Sequence, residues 1–276
     1  MSEEEPERSE AARQAAELAL VRVAHHYGGR PGFVLLGGLV PALLCAHSDQ
    51  RHAGTTDVDV QVDLEIAGGS VEAGRLETAL LNAGFKPGGE YIWRWKLADS
   101  PTVVKFELLA DLGNQPNEAI IEFAECNELG AVNLRGTGYA AQDTTVHKIG
   151  ANDHGTWREA EINVTGLAGF LLAKMAAAHG RRKAKDWYDI AFVLLNNDHG
   201  SPTAAAERVF EVFGTSVIST IRTQVLDLQA NFEASDAQGT VAYATQITLD
   251  HPEIDRATAA ADAQLAVAAF TGHLLA

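Results

Sequence analysis

Apolar and polar positions change their period along this chain. Between residues 11 and 26, Ala15, Leu18, Leu20, Val21, Val23 and Ala24 recur at near-helical spacing, and Gly28-Gly29-Arg30-Pro31-Gly32 follows as a stop, so the pattern predicts a helix over 11–26. The apolar run Phe33 to Leu36 predicts a strand, closed by Gly37-Gly38. The apolar stretch 39–46 predicts a short helix, with Pro41 in its first turn, where a missing N–H costs nothing. Asp57-Val58-Asp59-Val60 alternates strictly, which is the strand period. A helix is expected at 71–83, a short strand at Gly84-Phe85 before a Gly88-Gly89 turn, and alternating strands at 91–96 and 102–109. In the last of these, Val104, Phe106 and Leu108 share the core face. Short strands are expected at 119–123, 131–134 and 144–148, the first after a loop at 112–117 and the last before a loop at 150–155 that holds His154.

From Thr165 the pattern turns helical. Helices are expected at 167–179 and 184–195, with a break at Gly180, and in alanine-rich segments at 203–213, 217–230, 238–248 and 255–275. The shift near 160 divides the chain into an α/β part, 1–160, opening on an acidic lead-in at 1–9, and a helical part, 161–276.

Composition narrows the classes. The chain has 276 residues, 46% apolar and 21% charged, the balance of a globular protein. No apolar run reaches the roughly 18 residues of a membrane span, and MSEEEPERSE is acidic where a signal peptide is basic and then apolar. The expected location is the cytoplasm. Cys45 and Cys126 have no CxxC spacing, so neither a disulfide framework nor a structural zinc site is indicated. His25-His26, His147, His154 and His179 lack metal-type spacing, and GxSxG and HExxH are absent. The formal charge of −16 argues against a general nucleic-acid binder. Arg181-Arg182-Lys183-Ala184-Lys185 is the densest cationic run.

The chemistry concentrates in Asp57-Val58-Asp59. Side chains alternate in a strand, so the two carboxylates share a face with Cα atoms about 6.5 Å apart. Like charges side by side raise the cost of ionising each other. A divalent cation removes that cost, and Mg²⁺ is commonly held by one or two carboxylates together with substrate phosphates. Gly37-Gly38 can take positive φ and admit an anion to the main chain, and N–H groups opening the next helix attract phosphate. Together these read as a nucleoside triphosphate site. Further on, Lys174 interrupts an apolar helix face (Phe170, Leu171, Leu172, Met175), which costs desolvation unless it meets an anion or its ammonium reaches solvent. Asp186 and Asp189 stand three apart on one helix face, Asp186 also being placed to cap its helix.

Gly37-Gly38, an apolar helix, Arg51, Thr56 and Asp57-Val58-Asp59, followed by Lys174, Arg181-Arg182 and Lys185-Asp186-x-x-Asp189, resemble the two motifs of the AbiEii-type and MenT-like toxin branch of the polymerase-β-like nucleotidyltransferase superfamily. The resemblance covers roughly residues 33–63 and 167–195 by motif. One departure is Gly38, where many members carry serine, so a hydroxyl contact to phosphate is replaced by a backbone N–H. The resemblance implies an α+β fold, a mixed sheet with helices followed by a helical C-terminal part. It also implies a third carboxylate on a neighbouring strand, for which Glu107 is the choice and Asp111 the competitor. Asp57, Asp59 and Glu107 are then expected to hold two Mg²⁺ ions about 4 Å apart, with Gly37, Gly38, Arg51 and Thr56 around the NTP. Lys174 is expected on the triphosphate and Asp186 to orient that lysine or the nucleotide, while Asp189 is given a structural role. The implied activity is transfer of NMP from an NTP to an acceptor hydroxyl, RNA such as a tRNA 3′ end, by the toxin of a toxin–antitoxin pair. Protein or small-molecule nucleotidylylation and a catalytically inactive nucleotide-binding module are the alternatives.

Overall fold

The computed structural model describes residues 8–62, 73–89, 91–97 and 103–276. Most of the acidic lead-in, residues 71–72 of the expected third helix and residue 102 of the expected strand lie outside the described residues. The chain forms two compact units, one made of residues up to Val40 together with Gly54–Thr165, the other of Pro41–Ala53 together with Gly166–Ala276. The segment Pro41–Ala53, which the sequence reading leaves in the N-terminal part, thus packs with the C-terminal helices.

The first unit begins with α1 (Glu10–Tyr27), whose Ser9 side chain accepts from Ala12 N and whose end is set by Gly28 at φ 76. Strand β1 (Val34–Leu36) runs into a 3₁₀ turn, Gly37–Leu39, and then α2 (Val40–Leu44), which from Pro41 on belongs to the second unit, so the helix expected over 39–46 is tighter at its start and shorter. The glycines cause this: Gly37 at φ 78 turns the chain at once, before a full α-helical turn can form. Then come β2 (Asp57–Gln61), α3 (Ala73–Asn82), β3 (Phe85–Pro87), β4 (Arg94–Leu97), β5 (Lys105–Ala110), β6 (Ile120–Glu122), β7 (Gly130–Asn133), α4 (Tyr139–Gln142), β8 (Thr144–Asp153) and β9 (Thr156–Thr165).

The strands join one mixed sheet in the order β3-β4-β5-β2-β1-β9-β8, with β7 paired to β5 and β6 to β7. β2 lies antiparallel to β1 and parallel to β5. Val58, Val60, Phe106 and Leu108 are fully buried on one face, and Phe106 meets Phe33 and Phe85 edge to face, both at 5.8 Å between centroids. Helix α1 packs against α3, β2, β8 and β9.

The largest departure from expectation is the β8–β9 hairpin. Where the sequence suggests a five-residue strand and a loop, two ten-residue strands pair through ten positions, from Thr144↔Thr165 to Asp153↔Thr156. Only His154-Gly155 turns, both at positive φ (50 and 88), as a two-residue hairpin requires. The pattern hid this because Lys148, Arg158, Glu159 and Glu161 crowd the strands with charge, and Gly150 reads as a breaker. Gly150 belongs in the strand because the Trp157 ring lies over it: a Cβ there would be 2.3 Å from the indole.

The second unit consists of α5 (Leu167–Arg181), α6 (Ala184–Asn196), α7 (Pro202–Phe213), α8 (Val217–Ala230), α9 (Gln238–Asp250) and α10 (Arg256–Leu275), joined by Pro41–Ala53. Helix α10 packs against α6, α7, α8 and α9. The expected break at Gly180 does not occur: α5 continues to Arg181 and ends at Arg182 in the left-handed region, φ 53. Pro41–Ala53 is held by the Asp198 carboxylate, which accepts from Ala46 N (3.2 Å) and His47 N (3.0 Å), and by Ala53 N donating to the Tyr188 hydroxyl at 3.1 Å. No helix among the described residues is long and apolar enough to cross a membrane.

The tight β8–β9 turn gives a test. Gly155→Ala forces a Cβ into φ 88 and should destabilise the protein by about 1 kcal/mol or more. Gly272→Ala, with open space around it inside α10, should instead raise stability by about 0.5–1 kcal/mol. Urea unfolding midpoints check both.

Candidate active site

Register alone assembles the acidic face. Asp57 pairs with Lys105 and Asp59 with Glu107 across β2 and β5, while Leu36 of β1 pairs with Asp59 and Arg94 of β4 with Glu107. Partnered positions in a sheet share a face, so one row reads Leu36, Asp59, Glu107, Arg94 and the next Asp57, Lys105, Lys96. Asp57, Asp59 and Glu107 are each partly exposed, whereas Val58, Val60 and Phe106 turn inward. Arg94 Nε donates to Glu107 Oε1 at 2.6 Å, and its guanidinium stacks over Trp93, 4.5 Å from the ring centroid.

Asp111 has other work. Its Oδ2 accepts from Gly136 N (2.8 Å) and Gly138 N (3.1 Å), fixing the approach to α4. It stands four residues beyond Glu107, about 13 Å along an extended chain, so of the two candidates it is Glu107 that lies beside Asp59.

The glycine pair meets the acidic strand directly. A Cβ on Gly37 would fall 1.9 Å from Asp59 Oδ2, and one on Gly38 would fall 2.7 Å from the Thr55 Cβ. The sequence reading gives this space to an incoming phosphate, but on the Cβ side it is filled by Asp59 and Thr55. Thr55 Oγ1 accepts from Asp57 N at 3.0 Å and so orients the start of β2. Thr56, the threonine singled out by motif, is buried, and its carbonyl accepts from Lys105 N at 3.1 Å. The two residues that sit on the glycines are Asp59 and Thr55, and no sequence signal marks the latter.

Among the described residues, no group of three or more His, Cys, Asp or Glu is arranged to hold a metal ion. Glu107 offers one oxygen to Arg94, and Lys105 and Lys96 stand in register with Asp57. Like-charge repulsion in this face is therefore moderated by cations of the protein itself. The pair Asp57 and Asp59 fits a divalent cation that takes its remaining ligands from substrate phosphates and water, as Mg²⁺-type sites do. It does not form an all-protein cage.

The second motif folds into a buried ionic cluster in the helical unit. Lys174 Nζ on α5 donates to Asp186 Oδ1 (3.2 Å) and Asp189 Oδ2 (2.7 Å) on α6. Arg181 grips Asp186 with Nε and Nη2, both at 2.7 Å. His52 Nε2 lies 2.9 Å from Asp189 Oδ1, with the imidazole packed on Tyr188 and Phe192. The Lys174, Asp186 and Asp189 side chains are 8%, 0% and 1% exposed. Neither solvent-seeking by Lys174 nor simple capping by Asp186 describes them. Asp189 binds Lys174 and a histidine. Its place on the Asp186 face was readable, whereas His52 carried no signal. Arg51 is exposed in the same unit, and its backbone N and O both lie against His251 Nε2 (3.3 and 3.1 Å).

Burial pushes the Asp186 carboxyl up, but Lys174 and Arg181 outweigh it and hold the group below its ordinary value. A depressed folded value stabilises fully above the unfolded carboxylate value of about 3.9, and that contribution is lost as pH falls through the folded value. Lys174→Met leaves two buried carboxylates short of a cation and should cost about 3–5 kcal/mol at neutral pH. Urea unfolding should show that cost shrinking as pH is lowered below about 4, where the carboxylates protonate, and Asp189→Asn added to Lys174→Met should recover part of it.

Comparison with known proteins supplies the family. Residues 19–273 match the family described as nucleotidyl transferase AbiEii toxin, type IV TA system. No curated protein gives a match. A solved structure, an antigenic nucleotidyltransferase-like protein from Paracoccidioides brasiliensis, is 17% identical over 93% of this chain and 95% of that chain, with a TM-score of 0.41. That correspondence is too loose to define a shared fold by itself. The family match spans nearly the whole chain and takes in both the Asp57-x-Asp59 strand and the Lys174 and Asp186 helices: the chain belongs to the AbiEii family of nucleotidyltransferase toxins of type IV toxin–antitoxin systems.

Proposed function

We propose that the acidic face of the first unit carries out Mg²⁺-dependent transfer of NMP from an NTP to an acceptor hydroxyl, with RNA, such as a tRNA 3′ end, as the acceptor. The observation that supports it is the register of Asp57, Asp59 and Glu107 on one face of β2 and β5, beside the Gly37 turn. Asp57 and Asp59 are the residues that would hold Mg²⁺, which when bound neutralises phosphate charge and lowers the pKa of an acceptor hydroxyl. Thr55 and Gly37 keep those carboxylates in place, Thr55 through Asp57 N and Gly37 by leaving room for Asp59. Glu107, tied to Arg94, adds negative charge to the edge while the guanidinium fixes its orientation.

In the reaction the acceptor oxygen forms a bond to the α-phosphorus, and the bond from that phosphorus to the pyrophosphate oxygen breaks. The hydroxyl proton leaves toward the acidic edge, and pyrophosphate departs. The family implies a cognate antitoxin as partner, and a cytoplasmic setting belongs to the same proposal. The charge of −16 favours one rival, a protein or small-molecule acceptor, because a polyanionic RNA meets net repulsion from this chain.

Two variants test the reading. With each α-labelled NTP, Mg²⁺ and a lysate divided into RNA and protein fractions, label should enter RNA, and Asp59→Asn should reduce it by about a hundredfold or more. Equal labelling by wild type and Asp59→Asn would falsify the assignment, and label confined to protein would move the acceptor to the rival class. Gly37→Ala places a Cβ on the Asp59 carboxylate and should lower the rate by about a hundredfold through misplacement of that group, as read in the same assay.

A further inference from the structure

The end of the sheet away from the acidic face holds a second feature with its own chemistry. β1 runs toward Gly37, and β9 lies parallel to it through Val34↔Asn163 and Leu35↔Val164, so the start of β9 and the His154-Gly155 turn lie at the opposite end from Asp57 and Asp59. There the C-terminal turn of α1, the end of α3 and the β8–β9 hairpin enclose a cleft of about 440 Å³ lined by Arg22, His25, His26, Asn82, Asp153 and Arg158. That volume is within the range of small-molecule sites, roughly 300–1,000 Å³.

One partly exposed carboxylate organises the cations. Asp153 Oδ1 accepts from Arg22 Nε (3.1 Å) and Nη2 (2.5 Å), and Asp153 Oδ2 pairs with Arg158 Nε at 3.0 Å. The Arg22 hydrogen bond and the nearby cations hold the Asp153 carboxyl below its ordinary value despite burial. Asp153 thus orients two guanidinium groups but neutralises only one of them. Arg158 approaches it most closely through Nε and its side chain stays 44% exposed, so the guanidinium keeps accessible surface, a planar group suited to two oxygens of one anion. His25 and His26 are exposed in the last turn of α1, and Asn82 brings an amide at the end of α3. The lining thus carries surplus positive charge in a chain whose net charge is −16.

We propose that this cleft is a phosphate-binding site, separate from the acidic face, that takes a phosphate ester of nucleotide size. Arg158 and Arg22 engage the phosphate oxygens, His25 and His26 donate further hydrogen bonds, and Asn82 meets a polar group of the ester. A free nucleoside monophosphate and a phosphate of an RNA chain present the same group. The site stands whether or not the transfer reaction proposed above is correct, because none of its residues belongs to that edge.

Two-dimensional NMR of the histidine ring signals of the full chain tests it without reference to activity, with inorganic phosphate, AMP and a short oligoribonucleotide titrated separately at constant ionic strength and without Mg²⁺. Saturable shifts of the His25 and His26 signals are expected, with affinity reduced about tenfold in Arg158→Gln, since a charge-assisted pair is lost. Arg158 is 44% exposed, so this variant should fold; His26→Gln, at an exposed position, should weaken binding in the same direction. AMP binding as tightly as the oligonucleotide identifies a free nucleotide, and tighter oligonucleotide binding identifies an RNA phosphate; either supports the site. Absence of saturable shifts with all three probes, or affinities unchanged in both variants, overturns it.

Discussion

The parallel pairing of β2 with β5 is the constraint on which the site of this protein depends. Parallel strands cannot be joined by a tight turn, so α3, β3 and β4 must intervene between them. What this delivers is a fixed register, with Asp59 against Glu107 and Asp57 against Lys105. A slip of one residue would send every acid to the Val58 and Phe106 face, which is fully buried and has no place for charge. The apolar face therefore holds the acidic face in position. The contact of Gly37 with Asp59 adds a second lock, from the strand on the other side.

The helical unit solves a different problem with the same residue types. Lys174, Arg181, Asp186 and Asp189 place two cations and two carboxylates inside a helix interface, with His52 closing the network. Such a cluster gains little over an apolar core, but removing any one member strands a charge. Its contribution is to fix one arrangement of α5, α6 and the 41–53 segment rather than several. Lys174 retains one ammonium proton beyond the two that its aspartates accept.

What could be read from the sequence followed from how local each signal was. The DVDV alternation placed β2 and oriented its acids, and the helices of the second unit were legible in apolar spacing, because each signal lies within one element. Glu107 could be chosen only through the resemblance, since nothing in the TVVKFELL pattern says which strand lies beside it. Thr55 and His52 were invisible because their roles come from a glycine and an aspartate distant in sequence. The β8–β9 hairpin was lost for another reason: its charged outer positions and Gly150 mimic a loop, and only the Trp157 ring explains why a glycine is tolerated in the strand.

The assignment of Pro41–Ala53 to the helical unit has a consequence for synthesis. The segment leaves the ribosome more than a hundred residues before α5 and α6 exist to receive it. At about 5–20 residues per second it waits for several seconds, tethered on both sides to strands already able to pair. Neither unit is a contiguous length of chain, so a cut after Thr165 would release a C-terminal fragment without the residues that contact Tyr188, Asp189 and Asp198. Nascent-chain assembly in this protein must therefore finish at its second half before its first is complete.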